Sequence, residues 1–245
     1  MTPLAERTPL ELPLRAGLIS AAVTFAIYYV TAFVVAEALL VGGKMIYGVY
    51  PSKAFGHPVL GIAAFAGAGA AAWFAFARLR RLGWRAIRVP TLRDAAIYVA
   101  AVAAVIALNA AHILILSATH IHYVPRLLRG FSVLDRDPIV TIIGAVTTLA
   151  AGSIGAPLFE EATSRALLFG ALIPRCAPFG AAIVSAIVFG AVHLDPIGFP
   201  LLFAYALVAT ASYALTSNLL VPIALHATTN IVLVGALVAR SLAGY

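Results

Sequence analysis

Long apolar runs broken by short polar segments set the pattern of this chain. The runs cover 16–41, 57–79, 94–118, 139–173, 178–194, 198–216 and 220–240. A helix needs about 20 apolar residues to cross a hydrocarbon core of about 30 Å, so the pattern predicts an all-α, polytopic transmembrane helix bundle of about seven helices, within a range of about six to eight. The fourth run is too long for one straight crossing. Gly152, Gly155 and Pro157 lie in its middle and predict a kink or break, which lipid tolerates only where the freed backbone groups face protein or a wet cavity. Small residues crowd the second run from Gly61 to Ala70, and small-xxx-small spacing predicts close helix packing there.

Composition supports this reading. Of the 245 residues, 63% are hydrophobic and 10% charged, against roughly 45–50% and about 25% in an average soluble domain. So few charges could not cover the outside of a soluble fold with this much apolar surface. The lipid bilayer is therefore the expected partner. The formal net charge of +7 does not point to nucleic acid, because Arg78, Arg80, Arg81, Arg85, Arg88 and Arg93 crowd one segment between apolar runs. That is how a cytoplasmic loop reads under the positive-inside rule. The N-terminus, with Arg7 and Arg15, then falls on the same side. The segment 119–138, with Arg126, Arg129 and Arg136, falls on the other side, against the rule. The run from Ala16 to Leu40 is too long for a signal-peptide core, so an uncleaved first span is expected. The lone Cys176 excludes an intramolecular disulfide.

Charges inside a bilayer cost about 2.5–3.5 kcal/mol each on insertion scales, so those that remain call for a functional explanation. Glu160, Glu161 and Arg165 are flanked by apolar residues on both sides. On a helix Glu161 and Arg165 are four apart and can pair on one face, whereas Glu160 is rotated by about 100° and left for other chemistry. Phe189 and His193 share a face of the fifth run, and His226 and Asn230 share a face of the last. Each pair alone reads equally well as packing or interhelical hydrogen bonding. Together, a carboxylate pair, an imidazole, and an imidazole with an amide are the parts needed to activate water and hold an oxyanion. His112 with Asn109 reads either as part of the same cavity or as packing. His57, His120 and His122 read as interfacial.

These three clusters resemble the motifs of the intramembrane peptidases grouped as CAAX prenyl protease and bacteriocin-processing (abortive-infection) proteins, the CPBP family. The family pattern of EExxxR, FxxxH and HxxxN or HxxxD is matched by Glu160-Glu161-Ala162-Thr163-Ser164-Arg165, Phe189-Gly190-Ala191-Val192-His193 and His226-Ala227-Thr228-Thr229-Asn230. The chain departs from the pattern at Ser164 and Ala166, where the family usually has an aromatic residue and a glycine. The resemblance divides the chain into N-terminal membrane helices with a basic loop (1–138) and a catalytic helix core (139–245). It implies an endopeptidase cutting a hydrophobic, lipidated or membrane peptide, such as a prenylated CAAX tail. By the same resemblance, Glu160 is the general base beside His193, His226 and Asn230 hold the oxyanion, and Glu161 with Arg165 orients the site.

Glutamate-activated water needs no cofactor. A competing version places zinc or another divalent metal on Glu160, His193 and His226, the His₂Glu composition of catalytic zinc sites, although HExxH spacing is absent. Two further classes explain buried polar residues: a non-catalytic scaffold or immunity protein, and a small transporter. The transporter reading lacks the internal repeat that such folds often carry. The expected location is a prokaryotic cytoplasmic membrane, with the chain as a multi-pass integral protein.

Overall fold

The computed structural model describes residues 11–47, 53–84, 87–121, 123 and 138–242. The elements in order are α1 (Leu14–Tyr47), α2 (Lys53–Arg81), α3 (Leu92–Ala118), α4 (Pro138–Ala150), a π-helical stretch Ala151–Gly155, α5 (Ala156–Glu161), a second π-helical stretch Ala162–Phe169, α6 (Gly170–Val192), α7 (Phe199–Thr216) and α8 (Leu220–Leu242). Among the described residues there is no strand. The all-α expectation holds.

Five helical stretches are long and apolar enough to cross a membrane: Leu14–Ile46, Pro58–Arg81, Leu92–Ala118, Ile142–Val192 and Phe199–Thr216. Leu220–Leu233 forms a shorter apolar helix. The count falls slightly below seven because the fourth and fifth expected spans run on as one 51-residue stretch. A straight helix of that length would measure about 77 Å, more than twice a hydrocarbon core. The backbone leaves helical geometry once inside it, at Ala177 (φ 53°, ψ 166°), immediately before Pro178. The kink expected around Gly152, Gly155 and Pro157 takes the form of the first π-helical stretch.

Large apolar side chains face outward along these helices: Tyr29, Val30, Phe33 and Val34 on α1, Ile106, Ile113 and Leu114 on α3, and Ile142 and Val146 on α4. Soluble monomers rarely expose apolar surface on this scale. Lipid is the solvent that suits it.

The chain divides into two compact units. The first comprises Met1–Ala22, Ala75–Pro125 and Glu161–His226. Within it, α6 packs on α7 and on the 162–169 stretch, and α3 packs on α7. One apolar core gathers Leu79, Trp84, Leu167, Phe169, Ala171, Ala181, Tyr213 and Leu219. A second gathers Ala101, Val105, Ala186, Phe189, Tyr205, Ala206, Ala209 and Leu225. The basic segment is tied into this unit. Arg88 grips Asp94 at 2.6 and 2.9 Å and donates to the Thr216 carbonyl at 2.9 Å, while Asn218 Nδ2 donates to the Arg88 carbonyl at 3.1 Å. Asp94 and Thr91 form a capping box that starts α3. Arg88 therefore has a structural partner, beyond any part in membrane orientation. Arg7, Arg85, Arg126, Arg129, Arg136 and His122 lie outside the described residues, as does the side chain of His57.

The second unit comprises Val23–Phe74, Arg126–Glu160 and Ala227–Tyr245. The small-residue face of α2 makes its close contacts. A Cβ on Gly61 would collide with Thr147, one on Gly67 would lie 2.7 Å from the Tyr28 carbonyl oxygen, and one on Gly155 would lie 2.8 Å from Ala68 Cβ. The packing expected from Gly61 to Ala70 is present. Gly67→Val is accordingly expected to cost about 1–3 kcal/mol through overpacking. Gly69→Val, with nothing within 4 Å of its added Cβ, should melt like wild type in detergent.

Candidate active site

Glu161 ends α5 and Arg165 follows four residues later in the second π-helical stretch. Arg165 Nε lies 2.8 Å from Glu161 Oε2, and Arg165 Nη2 lies 3.5 Å from Oε1. Both side chains are 0% exposed. Two charges removed from solvent this fully must be held by more than each other, and the surroundings supply it. The Arg165 guanidinium sits 4.8 Å from the centroid of the Phe189 ring, a cation–π contact worth about 2 kcal/mol when desolvated. On the carboxylate side, Glu161 Oε1 lies 2.9 Å from His226 Nδ1. Glu161 thus joins two helices: it meets the arginine of its own helix and the first motif histidine of α8.

The histidine geometry follows from these partners. A carboxylate accepts and does not donate, so Nδ1 of His226 carries the proton that faces Glu161, and Nε2 points away from it. His193 closes α6, and its Nδ1 lies 2.7 Å from the Phe189 carbonyl oxygen. A carbonyl also only accepts, so here too the Nδ1 proton is directed at a fixed acceptor. Fixing one ring nitrogen to define the other is how histidines are poised as bases or ligands.

Aromatic side chains hold both imidazoles. Phe189 has its ring centroid 4.9 Å from that of His193, 5.8 Å from Tyr205 and 6.1 Å from His226, and Tyr205 lies 5.4 Å from His226. Ser185 Oγ donates to the Ser164 carbonyl at 2.8 Å, satisfying a backbone group in the π-helical stretch and bracing it against α6. Gly190 keeps α7 close, since a Cβ there would meet the Phe199 ring at 2.9 Å.

Of the residues marked in the sequence, Glu161, Arg165, His193 and His226 gather in the first unit around Phe189. Glu160 and Asn230 belong to the second unit. There Phe159, the neighbour of Glu160, stacks on Tyr28 at 4.6 Å, and Asn230 Nδ2 donates to the Gly152 carbonyl at 2.6 Å. Tyr205 is the residue that sequence reasoning missed. It belongs to no motif, but a tyrosine in the middle of an apolar span needs a polar environment for its hydroxyl, and that signal could have marked it. Asn109 bonds its own helix, Nδ2 to the Val105 carbonyl at 2.8 Å, and His112 packs edge-on against Tyr123 at 5.8 Å. Both therefore read as local packing.

Among the described residues, no group of three or more His, Cys, Asp or Glu side chains is arranged to hold a metal ion. Of the set expected for a metal, His193 and His226 belong to the first unit and Glu160 to the second.

The apolar helices and the buried polar cluster define a multi-pass helical membrane protein with charged and polar side chains inside its spans. Residues 142–232 match the family model described as type II CAAX prenyl endopeptidase Rce1-like. The match covers all three motif clusters and bears out the resemblance to the CPBP family. No curated protein and no solved structure matches the chain.

Proposed function

We propose that this chain is an intramembrane endopeptidase that hydrolyses a peptide bond in a membrane-associated substrate, with glutamate-activated water as the nucleophile. The observation that carries the reading is the fully buried Glu161–Arg165 pair with His226 on the same carboxylate. A fixed ion pair inside a span is a costly arrangement, and here it sets the orientation of an imidazole. The match over 142–232 to a CAAX prenyl endopeptidase-like family supports the endopeptidase part of this reading.

In this reading Arg165 occupies Glu161 and leaves Glu160 as the base. Glu160 takes a proton from water, and the hydroxide attacks the scissile carbonyl. His193 assists that transfer, and the proton that Glu160 took from water passes to the leaving amine as the tetrahedral intermediate collapses. Negative charge on the tetrahedral oxygen is met by hydrogen bonds from Asn230 and His226. Donation from His226 Nε2 requires the ring to carry both protons, since Nδ1–H is already directed at Glu161. The substrate class is a hydrophobic or lipidated peptide, of which a prenylated CAAX tail is the family's example.

The test is cleavage by purified protein in lipid vesicles given hydrophobic peptides with and without a prenyl group. Cleavage that survives exhaustive chelation is expected; loss of cleavage on chelation, restored by zinc, would contradict the glutamate mechanism. Tyr205 offers a second check on how His226 is held. Tyr205→Leu removes the ring from the imidazole face and is expected to lower kcat about tenfold or more. Tyr205→Phe keeps the ring and should stay near wild type in the same assay.

A further inference from the structure

The first π-helical stretch contains a gap in its hydrogen-bond ladder. The N–H of Ala156 donates to the Ala151 carbonyl, five residues back. The next amide in that pattern belongs to Pro157, which has no N–H to give. The Gly152 carbonyl therefore has no donor at the fifth position along, and Gly152 and Ser153 are both buried. A backbone carbonyl left unpaired away from water is costly, and most of all in a membrane. Asn230 of α8 fills the gap: its Nδ2 donates to this oxygen at 2.6 Å.

We propose that Asn230 is a positioning residue that locks the π-turn in place of the missing Pro157 amide, and thereby sets where α5 begins and how Glu160 at its far end is presented. Ala156–Glu161 continues directly from this stretch, with Ala156 itself in helical geometry. Its orientation is inherited from the turn that precedes it. A primary amide has two N–H groups and one carbonyl oxygen. One N–H is committed to Gly152, which leaves the other for the oxyanion. The lock stands apart from the peptidase reading, and only the activity arm of its test rests on that reading.

The test exploits the chemistry of the gap. Pro157→Ala restores an N–H that can serve Gly152, so it should relieve the need for Asn230. Melting in detergent and peptide cleavage are measured for wild type, Asn230→Ala, Pro157→Ala and the double variant. Asn230→Ala is expected to melt about 5 °C lower, as for one buried hydrogen bond lost in a domain of this size, and to lose kcat with little change in KM. The double variant is expected to regain most of the melting temperature and part of the kcat. If Asn230→Ala does not fold, folding of the double variant carries the same meaning. An unaltered melting temperature in Asn230→Ala, or a double variant no better than the single, overturns the lock. Asn230→Leu provides a check that does not depend on Pro157. It keeps the size but offers the Gly152 carbonyl no donor, so wild-type stability in that variant would overturn the proposal as well. Absence of cleavage by wild type would instead count against the peptidase reading, leaving the melting comparison to decide the lock.

Discussion

Glu160→Gln is expected to abolish peptide cleavage while leaving the melting temperature within a degree or two of wild type. The substitution keeps size and one carbonyl oxygen but removes the basicity that takes a proton from water. General-base contributions of this kind run to about 10²–10⁴-fold. Stability should hardly change, because the fixed ion pair is built on the neighbouring carboxylate, Glu161. Two adjacent glutamates thus have opposite expected phenotypes, one affecting chemistry and the other folding. Turnover by Glu160→Gln at wild-type rate would remove the base from the scheme.

Glu161→Leu is expected to have the largest effect on folding of any substitution in the site. It leaves the Arg165 guanidinium, 0% exposed, without its counter-charge, and breaking a buried pair from one side costs about 3–5 kcal/mol. For a chain of this length that corresponds to a fall of roughly 10 °C or more in melting temperature. The same substitution removes the acceptor that fixes His226 Nδ1, so the histidine loses its orientation too. The double variant Glu161→Leu/Arg165→Met takes away both charges and should recover much of the stability. It should not recover activity, because His226 remains unheld. Thermal melting with parallel cleavage assays separates the two effects. A Glu161→Leu protein that melts with wild type would mean that the pair contributes nothing to the fold.

Much of the architecture was legible in the pattern of apolar residues, because lipid makes hydropathy a strong constraint. The Glu161–Arg165 pairing was equally legible, since i, i+4 spacing on a helix leaves little choice of partner. What spacing could not show was that His226 would meet the same carboxylate, because that contact spans 65 residues of chain. Nor could it show that the predicted kink would become two π-helical stretches flanking the acidic pair. Such stretches depend on tertiary packing rather than on local propensity, and they recur at functional sites. The aromatic frame of Phe189 and Tyr205 was half visible: Phe189 belongs to a motif, whereas Tyr205 stands alone in an apolar span. The boundary between 139–173 and 178–194 was legible too, since the backbone leaves helical geometry between them, at Ala177.

Hydrolysis itself is most directly tested by mass spectrometry of a prenylated or hydrophobic peptide incubated with the folded protein in ¹⁸O-labelled water. The account predicts two fragments whose masses sum to the substrate plus one water, with the label in the newly formed carboxylate. Intact peptide across a broad panel of such substrates, from protein shown to be folded and membrane-inserted, would contradict it.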